Sequence, residues 1–283
     1  MIDETAEEIR EMRTHSSSVV AVKAARALAE ITEESFPSVE EYVRALERNS
    51  NALRRANPSH ASLVTTQREI VDAITETSFE DVTSAQARTR EVIQSVVEEV
   101  ESAKREAARR LADVLEDGST LLLHDYSTTV LEGLELAVED GKTFEAYVTE
   151  ARPRHLGRKT ARELGTLDGV DPTLIVDGAA GYVMDATDEV LVGMDCVVEE
   201  TLYNRIGTYP VAAVAADAGV PVTVAGSSAK IVDGSFRFEN DYRVISEVIR
   251  EPPEGFEVEN PAYDATPTDL LDRIVTDEGI RRC

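Results

Sequence analysis

Tryptophan is absent from this 283-residue chain, and aromatic residues make up only 5% of it. Its core must therefore be built from aliphatic side chains and alanine, for which a hydrophobic share of 42% is sufficient. The two cysteines, Cys196 and Cys283, exclude a disulfide framework and offer no metal-ligand spacing. Neither a Gly-x-Gly-x-x-Gly turn after a strand nor a Walker-type lysine is present, so no nucleotide cofactor and no metal are expected. No apolar run approaches the length needed to cross a bilayer, and MIDETAEEIREM lacks the apolar stretch of a secretion signal. A cytoplasmic protein is expected, with no membrane contact.

Lysine is also scarce: Lys23, Lys104, Lys142, Lys159 and Lys230 are the only five. Against 29 basic residues stand 55 acidic ones, for a net charge of -26. The acids are spread along the chain instead of forming a tail, which points to a surface kept hydrated and dispersed by like charge. Acid excess, few lysines and small apolar residues together fit a cytoplasmic protein of a salt-loving organism. Direct binding to nucleic acid is not expected, because phosphate neutralisation needs clustered Lys and Arg.

From Ile2 to about Glu116 the pattern is helical. EEIREMRTHSSSVVAVKAARALAEI repeats apolar residues at intervals of three and four, placing Ile9, Met12, Val19, Val22, Ala25 and Leu28 largely on one side. SVEEYVRALERNSNALRRA opens with Ser38 and Glu41 in capping-box spacing. SAQARTREVIQSVVEEVESAKREAARRLADVLEDG predicts one long helix ending at Gly118. At Gly118 the rhythm changes. The runs STLLLHD, FEAYVTEA, PTLIVDG, EVLVGMD and VPVTVAG alternate with helical stretches, the signature of a parallel sheet with crossover helices. The expected architecture is α/β: an N-terminal helical domain (1–116) followed by a Rossmann-like, doubly wound parallel-sheet domain (117–283). The tail from Ile231 is expected to add a hairpin or a helix, then a Pro-rich, turn-rich stretch.

In doubly wound sheets ligands sit outside the carboxyl ends of the strands. That rule selects the polar knots His124-Asp125-Tyr126-Ser127, Thr149 to Arg154, Asp177 to Gly181, Asp195, and Gly226 to Lys230. Arg152, Arg154, Arg158 and Lys159 crowd one loop and helix start, which suits an anion as well as it suits a solvated basic patch. Asn204 and Arg205 precede Gly207 and a helix, where they could hold a phosphate or sugar hydroxyl or simply cap the helix. Asp195 could act on a proton or merely cap the next segment. His124 and Asp125 are neighbours on extended chain and point apart, so no Ser-His-Asp arrangement is defensible.

The segments HDYS, YVTEARPRHLGRKTAREL, VDGAAGYVMDATDEVLVGMDCVVE and NRIGTYPVAAVAADAGVPVTVAG resemble the translation initiation factor 2B alpha/beta/delta subunit family. That family shares its fold with methylthioribose-1-phosphate and ribose-1,5-bisphosphate isomerases. The resemblance is strong from about Gly118 to Lys230. It implies that Asp195, in VGMD, stands at the catalytic aspartate of the isomerases, whereas Asp125 stands where their Cys belongs. It also sets Arg13 in the place of a phosphate-loop arginine, Asn57 where an Arg is usual, and Asn204-Arg205 in place of an Asn-Lys pair. The ligand-binding set so implied is Arg13, Asp125, Arg152, Asp195, Asn204, Arg205 and Lys230.

A carboxylate differs from a thiol in charge, size and proton affinity. The first expectation is therefore a non-catalytic, alpha-type regulatory subunit, binding a sugar phosphate or nucleotide monophosphate and forming a homodimer through the α/β domain, with an initiation factor 2 subunit as partner. The alternative is an aldose-ketose isomerase of a ribose phosphate, with Asp195 moving the proton. A scaffold with a vestigial pocket is the third reading.

Overall fold

The computed structural model describes residues 2–11, 16–232, 236–251 and 254–283. The chain forms two compact units, Met1–Ser102 and Ala103–Cys283. The change of sequence rhythm at residues 116–118 marks the end of a helix, while the division between units falls within that helix.

The first unit is helical, as its periodicity predicts. Helices α1 (Ile2–Arg10), α2 (Ser17–Leu28), α3 (Val39–Ala56), α4 (Ala61–Thr75) and the start of α5 (Val82–Val114) enclose a core of Leu28, Ile31, Leu46, Leu53, Leu63, Ile70 and Ile74. Alanines at 24, 25, 45 and 85 sit in this core. They let helices approach closely where aromatics are few. Tyr42 is the exception, fully buried with its hydroxyl donating to Thr89 Oγ1 at 2.6 Å. Ser38 caps α3, its Oγ accepting from the Glu41 amide at 3.3 Å. Val22, Ala25 and Leu28 are buried on α2 as expected, joined by Val20, Ala21 and Ala24, whereas Val19, expected with them, is half exposed. Met12 and Arg13 lie outside the described residues.

The second unit is the expected doubly wound sheet. Its strands are β1 (Thr120–Leu123), β2 (Phe144–Thr149), β3 (Val170–Ile175), β4 (Glu189–Gly193), β7 (Val222–Ala225), β10 (Arg273–Thr276) and β11 (Gly279–Arg282). Their order across the sheet is β11-β10-β7-β4-β1-β2-β3, all parallel except for β11. Crossovers are made by α6 (Thr128–Glu139), α7 (Gly157–Leu164), the short α8 (Ala180–Val183) and α9 (Thr208–Ala218). The inner strands read as continuous apolar runs because both faces are covered. Pro172, which cannot donate to a ladder, lies on the edge strand β3.

The chain winds outward from β1 through β2 to β3, then returns to lay β4 on the other side of β1. The strand order reverses between β1 and β4, and the crevice of such a sheet opens there. Asp125 follows β1 and Asp195 follows β4, so topology alone brings these two carboxylates to the same rim.

The sequence reading missed a second, four-stranded sheet, ordered β8-β5-β6-β9. It contains the hairpin of β5 (Cys196–Val198) and β6 (Thr201–Arg205), together with β8 (Ile231–Val232) and β9 (Tyr263–Pro267). The segments are too short to show a period. The tail expected to carry a hairpin or helix instead supplies β9, which pairs antiparallel with β6, and β10 and β11, which extend the main sheet. Among the described residues no helix is long and apolar enough to cross a membrane.

Candidate functional site

The polar knot after β1 divides its labour. His124 is buried, with Nδ1 2.7 Å from Thr149 Oγ1 and Nε2 2.9 Å from the Ile206 carbonyl. A carbonyl only accepts, so Nε2 carries a hydrogen and donates to it. His124 is thus a strut tying β1 and β2 to the turn before α9. Gly207 is required there: its φ is +105°, and a Cβ would come within 2.5 Å of the His124 ring. Gly207→Ala is expected to lower stability by at least ~1–2 kcal/mol, checked by thermal melting in the same salt.

Asp125 points the other way. Its backbone is left-handed, φ +65°, a conformation Asp tolerates better than most residues. Ala151, on the facing loop, is also left-handed at φ +55°. Two such residues at one crevice are the pattern of a shaped binding site. Asp125 is only 7% exposed, and its Oδ2 lies 3.6 Å from Arg205 Nε; the same nitrogen lies 3.7 Å from Asp195 Oδ2. One guanidinium therefore stands between two carboxylates. Burial pushes the Asp125 carboxyl above the ordinary range, with Arg205 and then His124 opposing, and with Asp195 adding to the rise.

Arg205 projects from β6 and stacks over the Tyr263 ring at 4.8 Å. Burial works against its charge, but Tyr263, Asp195 and Asp125 together more than compensate and raise its pKa. Burial also pushes the Tyr263 hydroxyl up to about 12. Lys230 is buried beside this group, with Nζ donating to the Met194 carbonyl at 2.8 Å; burial lowers its pKa, against the pull of Asp195. Cys196 is fully buried on β5, and its thiol is pushed to about 12 by burial and then by Asp195. A thiol so disfavoured as thiolate is wall, not nucleophile.

The basic loop after β2 splits into two functions. Arg152 and Arg154 line the cleft together with Asp125, Arg205, Arg243 and Asn260. Asp177 fixes the loop by accepting from the amides of Ala151 (2.7 Å) and Arg152 (2.8 Å). Arg158 instead pairs with Glu150 at 2.6 Å, and Lys159 with Glu163 at 3.7 Å, Lys159 also lying over the Tyr126 ring. For those two, the surface-patch reading holds. The cleft's enclosed space is only about 20 Å³, room for about one water, and the rest of it is open to solvent.

Asn204 is not among the cleft's lining residues. It lies on the face of β6 opposite Arg205, with Nδ2 donating to Thr208 Oγ1 at 3.0 Å, and so builds the start of α9. The α9 N-terminus is already filled by a carboxylate, Asp264 Oδ2, which accepts from the amides of Gly207 (2.7 Å) and Tyr209 (3.0 Å). Arg13 lies outside the described residues. Among the described residues no His/Cys/Asp/Glu group could hold a metal ion. The sequence reading missed Arg243, Glu247, Asn260, Tyr263 and Asp264. All come from the tail, Tyr263 and Asp264 from the short strand β9 and the others from the chain before it, where the Arg243/Glu247 spacing of four was the available signal.

An α/β sheet with a carboxylate pair at its switch point defines the usual small-molecule crevice of a doubly wound fold. The chain matches the Initiation factor 2 subunit family over residues 13–283 and belongs to that family. A ribose 1,5-bisphosphate isomerase of Haloterrigena turkmenica is 35% identical, the match covering 97% of this chain and 88% of that protein. One of the same name from Haloferax volcanii is 34% identical, covering 97% and 87%. The crystal structure of the Pyrococcus horikoshii translation initiation factor eIF-2B superposes with a TM-score of 0.83 at 26% identity, covering 99% of this chain and 96% of that one.

These relatives correct the first expectation, a non-catalytic regulatory subunit. Six archaeal relatives, 30–35% identical over nearly the whole chain, are ribose 1,5-bisphosphate isomerases. That expectation rested on the carboxylate at position 125. A missing thiol argues against proton transfer only where no other titratable group stands in the crevice, and Asp125 stands there, next to Arg205.

Proposed function

We propose that this chain is an aldose-ketose isomerase that converts ribose 1,5-bisphosphate to ribulose 1,5-bisphosphate. The observation that carries the reading is the pair Asp125 and Asp195 on either side of Arg205, at the rim where the sheet reverses. The isomerase relatives and the arginine-lined cleft support the same substrate class.

The chemistry asks for one acid and one base. In the substrate C1 is masked: it carries the phosphate and the ring oxygen. A protonated carboxyl gives its proton to the ring oxygen as the C1–O4 bond breaks. A carboxylate removes the proton from C2, and those electrons form the C1–C2 double bond of an enol phosphate. The enol then loses its O2 proton to the first carboxylate, and C1 takes back the proton held by the second. Atoms and charges return to their starting state, and the product is the ketose. Two carboxyl groups in unequal environments can divide acid and base roles in this way. Asp125, whose carboxyl is held above the ordinary range by burial, takes the acid's part. Asp195 takes the base's. Arg205 bridges both and balances the negative charge that passes between them; Lys230 supplies a second cation beside Asp195.

Purified protein in high salt, incubated with ribose 1,5-bisphosphate, is expected to yield ribulose 1,5-bisphosphate. Ligand-induced thermal stabilisation by the bisphosphate without any turnover would overturn the isomerase reading. The salt is needed because a surface of net charge -26 repels itself at low ionic strength.

A further inference from the structure

Arg205 Nε stands between two carboxylates and closes on neither. It lies 3.6 Å from Asp125 Oδ2 and 3.7 Å from Asp195 Oδ2, and both separations are longer than a hydrogen bond. A guanidinium this near a carboxylate ordinarily completes a short, two-pronged pair with it. In a space with little water that attraction is scarcely screened, and it is strongest toward whichever carboxylate is ionised.

Tyr263 supplies an opposing hold. It faces Arg205 directly across the antiparallel ladder of β9 and β6, so the two side chains share a face of the small sheet. The guanidinium carbon lies 4.8 Å from the centre of the Tyr263 ring, close enough for attraction to its π face, and the phenol oxygen accepts from the same guanidinium. The ring is itself fixed. Phe238 meets it edge-on at 5.2 Å and stacks on Tyr203 at 4.0 Å. Asn240 clasps its backbone, Nδ2 donating to the Tyr263 carbonyl at 2.9 Å and Oδ1 accepting from the Tyr263 amide at 3.2 Å. Because burial pushes its hydroxyl up to about 12, Tyr263 meets Arg205 as a neutral ring and never as a third anion in the working range.

We infer that Tyr263 is a positioning residue, holding the Arg205 guanidinium between Asp125 and Asp195 so that it does not close on the ionised one. The acid and base roles come from the isomerase reading; the hold on Arg205 stands on the geometry of β6 and β9. In that reading Asp125 carries the proton and Asp195 is charged, so a released Arg205 moves to Asp195. A carboxylate tied to a guanidinium is a weaker base. Asp125 at the same time loses part of the field that opposes the effect of burial, and its pKa rises further. His124, Arg154, Lys230 and Asp241 also face these groups. They are unchanged by a substitution at position 263, so a difference from wild type is assigned to Tyr263.

The test compares wild type with Tyr263→Phe, which keeps the ring and loses the hydroxyl, and with Tyr263→Leu, which loses both. Turnover of ribose 1,5-bisphosphate is followed across pH. The kcat is expected to fall ~5- to 30-fold with KM little moved, more in Leu than in Phe, and its falling limb is expected to move to higher pH. A second measurement needs no turnover. Each form is melted across pH beside its own Asp125→Asn derivative, and the pH at which the two curves part reports the titration of Asp125. That window is expected to extend to higher pH in both Tyr263 variants. A window and limb left at their wild-type positions in the folded Phe and Leu variants, or moved to lower pH, overturn the positioning role whatever happens to kcat. Wild type without turnover would sink the isomerase reading alone, and the melting pairs would still decide for or against Tyr263.

Discussion

Asp195→Asn is expected to lower turnover of ribose 1,5-bisphosphate by about 10²–10⁴-fold, the range for removing a positioned acid-base group. The amide keeps the shape but cannot accept a proton from C2. Arg205 keeps Asp125 as a partner at 3.6 Å, so the variant is expected to fold and to bind the bisphosphate. The loss should fall on kcat with KM little moved, because the proton passes only in the transition state. Steady-state kinetics with the bisphosphate measure this directly. A variant that keeps wild-type kcat would show that Asp195 does not handle the proton.

Asp125→Asn carries the second large effect, and it has a pH signature. With Asp125 as the acid, wild-type kcat falls as pH rises through its raised pKa, because the proton needed for ring opening is lost. The Asn variant is expected to be slower by ~10²-fold or more and to lack that falling limb. Stability gives an independent reading. A carboxyl whose folded pKa lies above its unfolded value contributes stability that is full below the unfolded value and is lost as pH rises through the folded one. The wild type therefore loses stability relative to Asp125→Asn as pH climbs from about 4, the ordinary carboxyl value, through the raised pKa of Asp125. Replacing Asp125 beside the buried Arg205 carries its own cost, which sets the offset between the two curves at the acid end, where Asp125 is protonated; the slope above it reports the titration of Asp125. Paired melting curves over the acid range check it. Parallel curves would mean that Asp125 titrates normally and is no reservoir for the proton.

Much of the second unit was legible in the chain because its signals are local. The runs STLLLHD, FEAYVTEA and VPVTVAG announced β1, β2 and β7, since strands covered on both faces are apolar throughout. Asp125 and Asp195 could be placed at one rim before any coordinates, because doubly wound sheets put the ends of their parallel strands together. The second sheet was opaque for a definable reason. Strands β5, β6, β8 and β9 run two to five residues, shorter than the windows in which a period can be recognised. Arg243, Glu247 and Asn260 lie on irregular chain, and nothing in their local sequence says what they face.

The residues were also easier to name than to orient. Asn204 and Arg205 read as a ligand-binding pair, yet a strand turns neighbours to opposite faces, so Arg205 enters the cleft and Asn204 turns to Thr208. His124 and Asp125 divide in the same way, one into the scaffold and one into the site. In the crowded basic loop, position relative to Glu150 and Glu163 decided that Arg158 and Lys159 are paired on the surface while Arg152 and Arg154 line the cleft.

By itself the sequence determined the two-part architecture, the winding of the sheet, the acidic surface and the chemical types available at the rim, all of which follow from composition, periodicity and strand order. Only the tertiary structure decided that Arg205 lies between Asp125 and Asp195, that burial holds one of those carboxyls above its ordinary range, and that Glu247 draws Arg243 toward Arg154 across almost ninety positions of chain. Those facts depend on distance and desolvation, which arise only when segments far apart in sequence exclude water from the same space.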